Sequence, residues 1–284
     1  MLKYFLSGMV CVFLLNLIII MSGRYNIIKV DGGDRWSNRP VPCFGGIAVM
    51  VSLSWFIFTG GHLVFLCTLV LFCLGLLDDA TGIEFVFPKL VIQIVVAVIT
   101  IWFGGYRLHW FSYIYLDWFV TGIWIVGLIN SFNLIDNMDG QLAIVGVVSS
   151  FAFGFAFFPY KMTLPFVIPF MLILFLLYNF PKAEIWMGDC GSLPLGYLFA
   201  VMGLSYYGIT ESFSMIPILI LLFPILDTTF VFTTRILKGK KFYVGGRDHL
   251  SHELIEFVGS ERRVFLLVMG FQIASGVIAL CLKN

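Results

Sequence analysis

Charge is what this chain has least of. Only 12% of its 284 residues are Asp, Glu, Lys or Arg, about half of the roughly 25% usual in a soluble domain. With 60% of the residues hydrophobic, a single water-soluble core is excluded, because the surplus apolar surface has nowhere to hide. The net charge is +1 and no basic stripe occurs, which excludes a nucleic-acid partner. Paired cysteines are missing as well. Cys11, Cys67, Cys73 and Cys281 lie in apolar runs, Cys43 and Cys190 in loops, with no CxxC pair and no secreted-type framework. Buried or incidental thiols are therefore the reading. No internal repeat or low-complexity segment is visible, so one domain over residues 1–284 is expected.

What is present is a series of long apolar runs, with a mean hydropathy of +1.01. Runs able to cross about 30 Å of hydrocarbon fall at 4–22, 44–60, 62–77, 89–104, 118–135, 142–158, 163–179, 193–209, 214–233 and 264–281. The expected fold is all-α: a polytopic membrane protein of about ten transmembrane helices. The first run, Tyr4 to Met21, exceeds the roughly 7–15 residues of a signal-peptide core and reads as a membrane anchor. Ten spans place both termini on one face. The opposite face then carries all the Lys and Arg except Lys3, Arg107, Lys161 and Lys283, thirteen against four. The positive-inside rule makes that face cytoplasmic, in the inner membrane, with both termini outside. Cytoplasmic loops are expected at about 23–43, 78–88, 136–141, 180–192 and 234–263. Every acid except Asp117 and Glu211 also falls on this face. The rule says little about acids, so a cytoplasmic-face active site assembled from several loops is the expected cause.

Five polar clusters are candidates. Asp78 and Asp79 end the third helix in "GLLDDATG", where the helix dipole disfavours acids, so a functional role is favoured over a merely solvated helix end. Neighbours do not share a helix face, so at most one should point straight into a common site. In "NSFNLIDNMDG", Asn130, Asn133, Asp136 and Asp139 recur every third residue, more oxygen ligands than a turn requires. Such hard ligands suit Mg²⁺ completed by phosphates and water. In "NFPKAEIWMGDCGSLPLG", Asn179 and Pro181 end the seventh helix and Ser192 is an N-cap candidate for the eighth. Free N–H groups at a helix start attract phosphate, Asp189 could bring a metal to it, and Trp186 offers a face to a nucleobase. In "RDHLSHEL", His249 and His252 stand with Arg247 and Asp248; without a third zinc ligand, contact with an anion is favoured over zinc. In "DGGDRWSNRPVPCFGG", Arg35 and Arg39 precede a helix start and serve either as substrate contacts or as topology signals. Together these suit phosphoryl transfer between a soluble nucleotide-activated donor and a lipid acceptor, chemistry that needs positioning and charge neutralisation.

The chain also resembles the polyprenyl-phosphate N-acetylhexosamine-1-phosphate transferases, of the bacterial glycosyltransferase family 4 type, along nearly its whole length. The resemblance rests on "LLDD" with Pro88-Lys89, on Asn130 to Gly140, on Asn179, Pro181 and Met187 to Gly196, and on the histidine loop "RDHLSHEL". It implies transfer of a sugar-1-phosphate from a UDP-N-acetyl sugar to undecaprenyl or another polyprenyl phosphate with release of UMP, as the first membrane step of a cell-envelope glycan. It implies Mg²⁺, with Mn²⁺ as an alternative, on Asp189 and Asn133. Asp78 and Asp79 would be essential, as base or as organisers of the acceptor phosphate. Asp139, Asn179 and Trp186 would face the uridine, and His249, His252, Arg247 and Arg35 the diphosphate or sugar. Lys89, Asn130 and Asp136 complete the substrate-binding set, and a homodimer is compatible with the pattern.

Three positions depart from the family pattern. Ser251 replaces the middle histidine of the last motif, Gln141 stands where Leu commonly follows the glycine, and Glu253 where Arg is frequent. They bear on the sugar more than on the reaction, and the absent triple-histidine loop argues against the peptide-bearing muramyl branch. An ion-coupled transporter would place acids near the midplane, often in repeats; here they cluster at span ends on one face. An inactive relative acting as an assembly partner is the third reading.

Overall fold

Every apolar run of the sequence is helical in the computed structural model, which describes residues 2–25, 40–81, 86–160, 162–239 and 248–283. Among these residues there are twelve helices. Five are long and apolar enough to cross a membrane: α1 (Leu2–Tyr25), α3 (His62–Thr81), α5 (Ile114–Leu134), α8 (Asp189–Thr210) and α12 (Glu261–Cys281). Four shorter apolar helices accompany them: α2 (Gly45–Gly60), α4 (Val86–Trp102), α6 (Gln141–Ala156) and α7 (Leu164–Asn179). At about 1.5 Å per residue these reach roughly 25 Å. The protein is an all-helical membrane protein.

Burial ranks the helices. In α8, 78% of the most apolar stretch is buried, against 22% in α1, so α8 is the central post and α1 a lipid-facing strut. The neighbours of α8 come unusually close because glycines face it. A Cβ on Gly75 of α3 would lie 2.3 Å from the Asp189 carbonyl, and one on Gly46 of α2 would lie 2.3 Å from the Gly191 nitrogen. Lipid offers no hydrophobic drive between helices, so such backbone-to-backbone packing supplies the association.

The ninth run departs from a single span. It breaks at Leu221 into α9 (Ile216–Ile220) and α10 (Leu222–Leu237). The break leaves backbone groups unpaired inside hydrocarbon, which demands a side-chain partner. Gln272 of α12, fully buried, provides it: its amide donates to the Ile220 carbonyl and to Ser149 Oγ (3.0 Å), and its oxygen accepts Phe223 N–H at 3.4 Å. The expected loop 234–263 is also partly helical. Leu250, Leu254, Ile255 and Val258 recur at helical spacing with Glu253 and Glu256 between them, and α11 (Leu250–Val258) turns Ile255 inward. On the opposite side of the bundle, Asp117 is structural: its carboxylate accepts His109 N–H at 3.0 Å and Trp110 N–H at 2.9 Å.

Candidate active site

Five helices deliver polar side chains to one end of the bundle. The last turn of α3 brings Asp78 and Asp79, the first turn of α4 Lys89, and the end of α5 Asn130 and Asn133. The first turn of α8 adds Asp189 and the last turn of α10 adds Arg235; all of these line one cavity of ≈ 1060 Å³. All five contributions come from helix ends in separate parts of the chain, which is why no single stretch of sequence contains the site.

Lys89 Nζ lies 2.6 Å from Asp189 Oδ2 and 3.0 Å from Asp78 Oδ2. Asn133 Nδ2 donates to the other oxygen, Asp189 Oδ1, at 2.8 Å and to Ser192 Oγ at 2.9 Å. Asp79 approaches from the opposite side: its Oδ1 accepts Asp189 N–H at 3.1 Å and its Oδ2 accepts Cys190 N–H at 2.9 Å. Gly188 precedes α8 and has no side chain to cap it, so a carboxylate from α3 does so, where the helix dipole favours an anion. On the far wall Asp227 of α10, fully buried, accepts His249 Nδ1–H and Leu250 N–H, each at 2.9 Å. This fixes the imidazole that lines the cavity. Asp248 pairs with Arg235 at 3.7 Å and Lys238 at 3.3 Å. Thr228 Oγ1 is buried on the same wall with no hydrogen-bond partner among the described residues, a donor placed for a ligand.

Away from this end the cavity becomes an apolar channel between α4 and α5. Leu90, Ile94, Val98 and Ile101 line it with Phe119, Ile123 and Val126, most of them exposed along the groove between the two helices, and it ends beside Trp102 and Trp118, whose rings sit 5.3 Å apart. From Lys89 to Trp102 this spans about 20 Å along α4. At the boundary between the polar and apolar parts, Asn130 Nδ2 donates to Gln93 Oε1 at 2.6 Å, with Gln93 2% exposed. Such a cavity can take a phosphorylated head group at one end and an alkyl chain at the other.

The profile of glycosyl transferase family 4 matches residues 62–207, half of the chain. The chain belongs to glycosyl transferase family 4. A probable undecaprenyl-phosphate N-acetylglucosaminyl 1-phosphate transferase of Bacillus subtilis is 31% identical, over 90% of this chain and 79% of its own. An undecaprenyl-phosphate alpha-N-acetylglucosaminyl 1-phosphate transferase of Thermotoga maritima is 26% identical, over 92% and 84%. A decaprenyl-phosphate N-acetylglucosaminephosphotransferase of Mycobacterium leprae is 23% identical, over 92% and 78%.

The structure of this family 4 chain brings together Asp78, Asp79, Lys89, Asn130, Asn133, Asp136, Trp186, Asp189 and His249 around one cavity. Both adjacent acids reach it, contrary to the expectation of one, because Lys89 and the start of α8 approach α3 from two directions. Three uridine-facing expectations change. Asp139 accepts Ala183 N–H at 3.0 Å and Trp186 Nε1–H at 3.3 Å. Asn179 accepts Gly140 N–H at 2.7 Å and donates to the Ile185 carbonyl at 2.8 Å. Both therefore tie the α5–α6 turn to the α7–α8 loop instead of facing the cavity. The indole of Trp186 is 1% exposed and packed on Val41, Cys43 and Ala183; it forms a wall rather than an open stacking face. Ser192 is not the N-cap of α8, which starts earlier, at Asp189; and the helix-start amides expected to meet phosphate are held by Asp79.

His252 is buried behind His249, ring centroids 5.5 Å apart, and does not line the cavity. Ser251 donates to Asn137 Oδ1 at 3.2 Å, so the departure from the histidine pattern joins α11 to the α5–α6 turn. Arg35, Arg39 and Arg247 lie outside the described residues. Asp227, which holds His249, and Gln93, Thr228 and Arg235, which line the cavity, lie outside the sequence motifs. The first three had a signal, since each is a polar side chain inside an apolar run.

Proposed function

We propose that the protein transfers N-acetylglucosamine-1-phosphate from UDP-N-acetylglucosamine to undecaprenyl or a similar polyprenyl phosphate, releasing UMP. The observation that carries this is the two-ended cavity, which is cationic and acidic at one end and continues into a channel lined by the helix faces that also meet lipid. The relatives named above, which act on polyprenyl phosphates and N-acetylglucosamine, support the same reading. In this reading the ten apolar runs are ten membrane crossings of one domain, the polar end is cytoplasmic and both termini are outside.

Asp189 and Asn133 would hold Mg²⁺, or Mn²⁺ in its place. Among the described residues no three His, Cys, Asp or Glu side chains converge on a metal. One carboxylate beside one amide fits Mg²⁺, which keeps waters and takes its remaining oxygens from substrate phosphates. When bound, the ion neutralises charge on the diphosphate. An oxygen of the polyprenyl phosphate attacks the sugar-bearing phosphorus. The bond from that phosphorus to the bridging oxygen breaks, and UMP leaves with the electron pair. A phosphate monoester has a second pKa near about 6, so its attacking oxygen is already deprotonated and no general base is required. Asp78 then acts as an organiser: it holds Lys89 beside the reacting phosphates. Lys89, Arg235 and His249 oppose the charge that builds on them, and Asp79 keeps the start of α8 in place.

The test is UMP release by the purified protein with Mg²⁺, undecaprenyl phosphate and a panel of UDP-N-acetyl sugars. Release with UDP-N-acetylglucosamine that needs the lipid and stops with EDTA is the expected outcome. No release across the panel from folded protein would refute the assignment.

A further inference from the structure

Asp189 is already occupied. Its Oδ2 has the Lys89 ammonium at 2.6 Å, the shorter of that lysine's two ion pairs, and the side chains are 17% and 20% exposed. An ammonium and a divalent ion cannot share one carboxylate oxygen without strong repulsion in so enclosed a place. The carboxylate is the more restrained partner, because Asn133 holds its Oδ1 at 2.8 Å and Asp79 pins the main chain beneath it through the Asp189 N–H at 3.1 Å. Lys89 can move. It stands in the first turn of α4 on a flexible four-carbon stem, it lines the cavity, and Asp78 Oδ2 lies 3.0 Å away as a second anchor.

We infer that Lys89 is a resident stand-in for the metal: it neutralises Asp189 in the metal-free protein, and arrival of the divalent cation hands it over to Asp78 and the substrate phosphates. The inference rests on the proposed metal at Asp189. It makes the lysine's charge available to the diphosphate only once the metal is in place, so in an unmetallated site this lysine is not free to hold nucleotide.

Two measurements on the full-length protein in lipid nanodiscs test this, both without nucleotide. The first is Mn²⁺ affinity by electron paramagnetic resonance for the wild type, Lys89→Met and Lys89→Arg. Removing the competitor should tighten binding at least about fivefold, within the ordinary range of site-to-site coupling, whereas Lys89→Arg, which keeps the charge, should stay near the wild type. The second is reductive methylation of the wild type, read by mass spectrometry against exposed Lys182. Modification of Lys89 should rise when Mn²⁺ is added. Unchanged or weaker Mn²⁺ binding in Lys89→Met overturns the inference. Tighter binding without a rise in Lys89 modification also overturns it, since proximity of charge alone would explain that. Should Lys89→Met fail to fold, the methylation result decides alone. Absence of Mn²⁺ binding to the wild type is a different failure, because it removes the metal assignment itself.

Discussion

Replacing Asp79 with Ala should loosen the start of α8 and, through it, the candidate metal site. The side chain is 7% exposed and receives two amide hydrogen bonds, from Asp189 and Cys190. A hydrogen bond to a charged group contributes about 1.5–3 kcal/mol, and a buried N–H left without a partner costs about 1–3 kcal/mol. With two such groups released, the Ala variant should lose about 2–6 kcal/mol, a loss of several degrees in thermal unfolding. Asp189 is the residue whose N–H is released, so Mn²⁺ affinity should also fall, by the roughly 10–100-fold seen when partners of metal ligands are removed. Asp79→Asn can still accept one of the two bonds and should lie between. The assays are thermal unfolding and Mn²⁺ titration, followed by UMP release at saturating metal. If Asp79→Ala unfolded and bound Mn²⁺ like the wild type, the cap would be irrelevant. If Asp79→Asn abolished turnover with metal affinity intact, Asp79 would take part in the chemistry rather than hold a helix.

Three further outcomes follow from the same geometry. Asp227→Asn removes the carboxylate that fixes His249 and should lower kcat/KM for UMP release about tenfold or more, the equivalent of losing one charge-assisted bond, while thermal unfolding changes little by comparison. Gln272→Leu strips the broken helix of its partner across α9 and α10 and should destabilise by about 1–3 kcal/mol, read as a drop in unfolding temperature, with donor KM unaltered. Gly122 lines the channel and a Cβ there meets nothing within 4 Å; Gly122→Phe should raise the KM for polyprenyl phosphate at least about tenfold while leaving that for the UDP-sugar, and equal effects on both substrates would rule out the channel as the acceptor's path.

Much of the architecture was legible because one physical demand dominates it. In lipid every backbone group must be paired within its own segment, so each apolar run had to be a helix. The break at Leu221 was not legible, since its remedy lies about fifty residues away in Gln272. The polar motifs contain many of the residues that gather around the cavity, yet they do not show which residue pairs with which. Asp139, Asn179 and Trp186 carry the right chemistry for a nucleotide contact, but the α7–α8 loop has backbone donors and acceptors of its own that claim Asp139 and Asn179. Asp79 and Asp78 are alike in sequence and differ only in what approaches them.

By itself, then, the sequence determined the solvent, the helices and the face on which the polar residues gather, because hydropathy, length and charge act locally along the chain. The tertiary structure alone decided which of those residues meet. It set Lys89 between two carboxylates from α3 and α8, gave α8 a cap from another helix, and joined the polar end to an apolar channel between α4 and α5. Those relations depend on how closely helices approach, at Gly46 and Gly75 above all, and a distance between segments far apart in the chain is not written in either segment.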